Sequence, residues 1–275
     1  MKLSIITINL NNRVGLQKTI ESVIGQTFDD FEWIVIDGGS TDGSAELITQ
    51  YADHFAYWVS EPDKGIYNAM NKGIRQAKGE WLQFLNSGDM LYEESTLQEI
   101  FGKDYHADVL YGNAKNINKN GSIGNYIAPD ILSYSYLYSG WSISHQASFF
   151  RRNLFDDNLY DEHFQIVSDR KYYLDLILKG CSFKHIDQFV VWYDNSGIST
   201  VLTDVWWQER KDVRDSCPPH LKPDMDWISH FRQVYYNGKF CTALTNFLLL
   251  IVAGVSRCRN HIITWRIKIK NKYHR

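Results

Sequence analysis

Thr7, Asn9, Asp37, Asp63 and Asp89 stand at or just beyond the ends of apolar runs covering residues 3–8, 33–36, 56–59 and 81–85. Oxygen-bearing side chains placed in this way suit a nucleotide-sized site. A carboxylate there can accept a hydrogen bond from an imide N–H, bind a hard cation or take up a proton. The structural alternative is a carboxylate that caps a turn or a helix. Asp42, inside Gly38-Gly39-Ser40-Thr41-Asp42-Gly43, fits that alternative better than Asp37 does. Asp169 follows Ser168 at the head of an amphipathic stretch, where it can serve as proton acceptor or as helix cap. A helix N-terminus would keep such a carboxylate ionised near neutral pH.

The apolar runs themselves define the elements that must hold these groups. Residues 3–8 and 33–36 are continuous and rich in β-branched side chains, the pattern of strands buried on both faces. Between them Leu16, Ile20, Val23 and Ile24 share one face of a helix. Further helices are expected over 44–51 and from about 66 to 77. Strands alternating with helices predict βαβ units in an α/β fold, with a mostly parallel central sheet and helices on both faces. Ligands of such sheets bind beyond the carboxyl ends of the strands, where the polar residues lie.

After Tyr111 the pattern is mixed. Asn118-Lys119-Asn120-Gly121 reads as a hairpin turn between strands near 107–112 and 122–127. A strand is expected at 147–150, a helix over 169–179 stopped by Gly180, and two separate strands at 183–186 and 189–193. From about residue 203 the chain reads as helix, interrupted by Pro218, Pro219 and Pro223.

Over roughly residues 1–200 the chain resembles the inverting family 2 glycosyltransferases of the GT-A (Rossmann-like) fold. The matching segments are Ser4-Ile5-Ile6-Thr7, Gln26-Thr27-Phe28, Ile36 through Gly43, Ser60 through Gly73, Phe84-Leu85-Asn86-Ser87-Gly88-Asp89 and Ser144-His145-Gln146. Their order and spacing, more than any one of them, carry the resemblance, which is closest to the branch that builds bacterial exopolysaccharide, capsule and O-antigen. It implies transfer of a sugar from a nucleotide diphosphate donor, UDP above all, to an acceptor hydroxyl on a glycan or lipid-linked glycan. Thr7 and Asn9 would line the base pocket and Asp37 would accept the base N–H. Asp63, Lys64, Asn71 and Ser87 would face the donor, with Lys64 or Lys72 reaching its phosphates unless both are merely solvated. Asp89 matches the carboxylate that holds a divalent metal, Mn²⁺ or Mg²⁺, although Asn86 and Gly88 replace the more common acids beside it. His145 and Gln146 would line the donor-sugar or acceptor pocket. Asp169 would be the catalytic base, with Asp161 and Glu162 as nearby substitutes, and the loop Ser196-Gly197-Ile198-Ser199 would close over the diphosphate.

The division that follows is a transferase domain over 1–200, with a nucleotide-binding half (1–112) and an acceptor half (113–200), then a helical extension over 201–275. Bulk properties agree with a packed globular protein: 44% hydrophobic and 22% charged residues. Aromatic residues at 15% suit carbohydrate or a membrane interface, or simply an aromatic core. A net charge of -3 argues against general nucleic-acid binding. Four scattered cysteines indicate neither a disulfide framework nor a zinc site and fit a reducing cytoplasm. The apolar run 240–255 is short for a membrane span and is followed by Arg257, Arg259, Arg266, Lys268, Lys270 and Lys272. An interfacial helix on the inner face of the membrane fits that flank, and a core or dimer-contact helix is the alternative. Two rival functions stand beside glycosyl transfer. A sugar-1-phosphate nucleotidyltransferase should carry a basic glycine-rich loop, of which Asn9-Leu10-Asn11-Asn12-Arg13 is a poor version; a non-catalytic nucleotide-sugar-binding scaffold would explain Asn86 and Gly88.

Overall fold

The computed structural model describes residues 1–195, 197 and 203–237. The apolar run 240–255, the basic residues after it, and Ser196, Ile198 and Ser199 of the expected closing loop lie outside the described residues.

Nine strands form one sheet among the described residues. Its first half comes from β1 (Leu3–Asn9), β2 (Phe31–Asp37), β3 (Tyr57–Ser60) and β4 (Trp81–Phe84), paired in parallel in the order β3-β2-β1-β4. The chain moves outward from β1 to β3 and then returns to the other side of β1. That reversal opens a crevice at the carboxyl ends of β1 and β4, the usual ligand site of such sheets. The second half adds β8 (Ser148–Arg151), β6 (Val109–Ile117), β9 (Phe183–Asp194) and β5 (Met90–Leu91), with β7 (Ile123–Tyr126) paired to β6 through the turn at 118–121. Antiparallel pairing enters with β8, and β6 and β9 run parallel.

Every residue of β1 is buried because both faces of the sheet are covered. On one side α1 (Arg13–Ile24), α2 (Ser44–Gln50) and α4 (Thr96–Phe101) pack Leu16, Ile20, Leu47 and Leu97 against Leu3, Ile5, Trp33 and Trp81. On the other, α3 (Ile66–Gln76), α5 (Tyr134–Tyr138), α6 (Ser168–Leu178), α7 (Asp204–Asp215) and α8 (Lys222–Asn237) cover Ile6, Ile8, Phe84 and Phe150. Ile24 departs from expectation: it ends its helix 39% exposed, and Leu16, Ile20 and Val23 carry the buried face. The two strands expected at 183–186 and 189–193 are one continuous β9. The polar Asp187-Gln188 that suggested a break falls where the β6–β9 register shifts, so the irregularity is absorbed within a single strand.

Candidate active site

The loop after β4 is clamped from α1. Thr19 accepts the Gly88 N–H at 3.0 Å and donates its hydroxyl to the Asp89 carbonyl at 2.7 Å. Asn12 donates to the Ser87 carbonyl at 3.0 Å, so Ser87 contributes its backbone to the loop and keeps its hydroxyl only 3.4 Å from the same amide. Antiparallel pairing of β5 with β9 then brings Asp89 to Asp194, whose N–H donates to Asp89 Oδ1 at 2.9 Å. Gly88 sits at φ +104°, and a Cβ there would lie 3.3 Å from Asp194 Oδ2. Glycine thus replaces the more usual acid at 88 because the turn needs the left-handed region, and the space it leaves admits the Asp194 carboxylate. Burial pushes the Asp89 carboxyl up to about 8, the Asp194 N–H offsetting part of the rise and the Asp194 charge adding to it. Asn86 Oδ1 beside them is buried and accepts no hydrogen bond among the described residues. Two carboxylates and an amide oxygen are the hard donors that Mg²⁺ or Mn²⁺ takes, with phosphate oxygens completing the shell. The set fits such a cation, although no group of three or more His, Cys, Asp or Glu suited to a metal occurs among the described residues.

The base end differs from expectation at two positions. Thr7 is fully buried and its hydroxyl accepts the Trp33 indole N–H at 3.0 Å, so it faces the α1–α2 layer and does not reach the crevice. Asp37 is also fully buried, with both carboxylate oxygens occupied: Oδ1 by Asn9 and the Ser40 hydroxyl, Oδ2 by the Ser40 N–H and the Ser60 hydroxyl, all within 2.5–2.9 Å. Burial opposes its ionisation, but these donors outweigh that and hold the carboxyl below its usual range. Asp37 therefore braces the loop and leaves no lone pair open to a base. Asn9 is part of the brace, and its Oδ1 is buried without a partner. Asp63 is half-buried beside this loop. Its Oδ1 accepts the Gly65 N–H at 3.0 Å, while Oδ2 lies 2.7 Å from where a side chain on residue 38 would begin. Asp42 accepts the Ser44 N–H at 3.1 Å and the Arg13 N–H at 2.8 Å, bracing the turn ahead of α2, whose N-cap is Gly43.

A cavity of about 360 Å³ has a lining that includes Tyr67, Asn86, His145, Gln146, Asp169 and Arg170. Asp169 occupies the first turn of α6, where its Oδ1 accepts the otherwise free Arg170 N–H at 2.8 Å and the Tyr67 hydroxyl at 3.1 Å. Burial and the Asp169 charge raise the Tyr67 phenol well above its ordinary range, so it donates here. His145 stacks on Phe84 with ring centroids 4.9 Å apart and is bonded to the Tyr160 hydroxyl at 2.7 Å. Burial pushes its imidazole down, offset in part by Asp169, and it stands neutral at pH 7. Gln146, which lines the cavity, favours the ionised form of the Asp89 carboxyl through its side chain.

Three other expectations are corrected. Asn71 is 1% exposed and its amide is spent on both backbone groups of Tyr160 and on Glu162, so it fastens α3 to that segment instead of facing a donor. Glu162 is held by Asn68 and Asn71, and Asp161 by His163; neither lines the cavity, so neither replaces Asp169. Lys72 is paired with Glu61 at 2.7 Å, and Lys64 is exposed just ahead of α3. The support for α6 comes from a residue with no motif around it. Glu209 of α7, 7% exposed, accepts the N–H groups of Gln165, Ile166 and Val167 at 2.6–3.3 Å.

With the geometry in place, comparison with known proteins gives the family. A sequence profile described as glycosyl transferase family 2 matches residues 4–162. A PGL/p-HBAD biosynthesis glycosyltransferase of Mycobacterium bovis is 33% identical over 173 residues, 60% of this chain and 66% of that relative's length. An uncharacterized glycosyltransferase of Mycobacterium tuberculosis is 33% identical over 204 residues, 72% of this chain and 76% of its own. Among solved structures, S. aureus TarS 1–349 in complex with UDP-GlcNAc superposes with a TM-score of 0.64 at 18% identity, covering 88% of this chain and 77% of that one. The mannosyltransferase PcManGT of Pyrobaculum calidifontis, in complex with GDP-Man and Mn²⁺, gives 0.57 at 15% identity over 96% of this chain and 83% of that one. At such identities the likeness is one of fold. The α/β sheet is the GT-A fold, and the chain belongs to glycosyl transferase family 2.

Proposed function

We propose that this protein is an inverting glycosyltransferase that moves a sugar from a nucleoside diphosphate donor, a UDP-sugar in the first instance, to an acceptor hydroxyl. The observation that carries the reading is the single cavity in which Asp169 faces His145, Gln146 and Asn86, with the Asp89–Asp194 pair reached through Gln146. Asp63 offers its Oδ2 to the base N–H, the role the sequence suggested for Asp37, and Lys64 approaches the phosphates. Asp89, Asp194 and Asn86 would hold Mn²⁺ or Mg²⁺, which when bound neutralises charge on a departing diphosphate. Asp169 takes the acceptor proton as the oxygen attacks the anomeric carbon from the face opposite the leaving group. Tyr67 fixes the orientation of that carboxylate and leaves Oδ2 for the proton.

A hexose or N-acetylhexosamine as the donor sugar and a glycan or lipid-linked glycan as the acceptor follow from the resemblance to the surface-polysaccharide branch. No helix among the described residues is long and apolar enough to cross a membrane. The run 240–255 with its basic flank supports peripheral attachment to the inner face of the membrane. The decisive measurement is release of nucleoside diphosphate from a panel of UDP-, GDP- and dTDP-sugars with Mn²⁺, with and without simple acceptors. Release from one donor class is expected. Tight nucleotide binding with no release from any donor would favour a scaffold, and pyrophosphate release from a nucleoside triphosphate and a sugar 1-phosphate would favour a nucleotidyltransferase.

A further inference from the structure

Two arginines enter the cavity from the elements that carry the candidate base. Arg170 follows Asp169 on α6 and Arg210 projects from α7, and both line the same space as Asp169 and His145. They are held by consecutive peptides: an Arg210 guanidinium nitrogen donates to the Gly140 carbonyl at 2.9 Å, and one of Arg170 donates to the Trp141 carbonyl. Gly140, at φ +101°, lets Arg210 in, since a Cβ there would stand 2.5 Å from its Nη2. The Trp206 ring supports Arg210 from beneath, its centroid 4.2 Å from the guanidinium carbon.

Arg170 is 6% exposed, and its Nε–H is buried with no acceptor. A buried guanidinium donor without a partner is costly. The neighbouring half-buried Arg210 repels it as well: burial first and Arg210 second push Arg170 down to about 9, the Asp169 charge offsetting part of the fall. Asp169 is the only carboxylate among the residues that line the cavity, and its Oδ1 is already engaged. Among the described lining residues two guanidiniums share one carboxylate, which leaves an excess of positive charge.

We propose that Arg170 and Arg210 form an anion-binding subsite that recognises a phosphoryl or carboxylate group on the acceptor. The inference rests on the glycosyl-transfer reading, and placement decides between acceptor and donor. The diphosphate end is built on the β4–β5 loop and the end of β9, where Asp89 and Asp194 stand. The arginines belong instead to α6 and α7, beside the group that deprotonates the acceptor. A planar guanidinium fork matches phosphate or carboxylate oxygens in two-point contact. The acceptor class is thus a glycan bearing a phosphodiester, a glycosyl phosphate or a uronic acid next to the reacting hydroxyl.

The test is calorimetric titration of the full chain, saturated with UDP and Mn²⁺, with glucose 1-phosphate, glucuronate and methyl glucoside. At least one anionic sugar should bind at least tenfold more tightly than methyl glucoside, and which one does so separates phosphate from carboxylate. Arg210→Gln should weaken that sugar at least tenfold and leave UDP affinity within about twofold, and Arg210→Lys should restore part of the loss. The proposal is overturned if the loss falls on UDP, if neutral and anionic sugars bind alike, or if Arg210→Lys melts normally yet restores nothing. Failure of UDP itself to bind, with the anionic sugar still bound, would sink the donor assignment and leave the subsite standing.

Discussion

At Asp169, Oδ1 already accepts the Arg170 N–H and the Tyr67 hydroxyl, and an asparagine Oδ1 accepts both equally well. Asp169→Asn should therefore keep the fold, with a modest fall in Tm from the charge lost beside Arg170, and keep donor affinity, while kcat falls on the order of a hundredfold or more, because an amide takes no proton. Turnover within about threefold of the parent would remove Asp169 from the reaction. Asp194→Ala tests the cation end: Mn²⁺ affinity of the UDP complex, read by calorimetry, should fall at least tenfold with the fold intact, and an unchanged affinity would leave Asp89 without a second carboxylate. His145 gives a pH signature. Its folded-state pKa lies below the ordinary 6.5, so its contribution to stability is present above pH 6.5 and is lost as pH falls through the folded-state value. Melting temperatures at pH 7.5 and 5.5 should drop more for the parent than for His145→Gln. Equal drops would mean that this imidazole does not titrate with unfolding. Some of these residues were readable from the chain and some were not. Asp89, His145, Gln146 and Asp169 lie beside local patterns that mark a loop after a strand or the head of a helix. The true partner of Asp37 was readable too, since a serine three residues after an aspartate is a turn signature, but the carboxylate alone drew attention. Thr7 was misplaced because residues 3–8 are apolar on both faces, so no alternation shows which way each side chain points.

Among the elements, α7 bears on the site a second time, through a residue outside the cavity. Glu209 meets three backbone N–H groups just ahead of α6, and hydrogen bonds to a charged group contribute about 1.5–3 kcal/mol each, not additively. Glu209→Ala should cost about 3 kcal/mol, roughly a 10 °C fall in Tm for a chain of this size, and should lower kcat by loosening the turn that carries Asp169. A melt within 2 °C or so of the parent would show that water replaces the carboxylate. No sequence pattern announces this contact, which spans more than forty residues and exists only once α7 has docked. Asp194 was hidden for the same reason. It is the last residue of a strand whose pairing with β5 runs across a hundred residues of chain, while Gly88 looked like a missing acid until the strand opposite supplied one.

Across the whole molecule the two faces of the sheet carry different burdens. The layer of α1, α2 and α4 encloses an apolar cluster and fixes the strand ends, and Thr19 on α1 pins the loop that leads to Asp89. The opposite layer joins Phe84 and Phe150 to Tyr172, Tyr173, Val213, Leu221 and Met225, so α7 and α8 share one core with the sheet and α6. The segment beyond residue 237 answers to a separate measurement: truncation before Phe240 should release the protein from vesicles containing anionic lipid and leave UDP binding intact. Equal vesicle binding by both forms would exclude the interfacial helix. The hold that α7 keeps on α6 also bears on how relatives of this protein can be recombined. The family profile ends at residue 162, short of Asp169, Arg170, Asp194, Glu209 and Arg210, so a chimera joined at that boundary would take Asp89 from one parent and these five residues from the other. Joined near residue 200, it would separate Glu209 from the turn it supports and Arg210 from Arg170. Acceptor preference in such hybrids should then travel with 163–215 as a single cassette, and libraries aimed at new acceptors are best confined to that stretch.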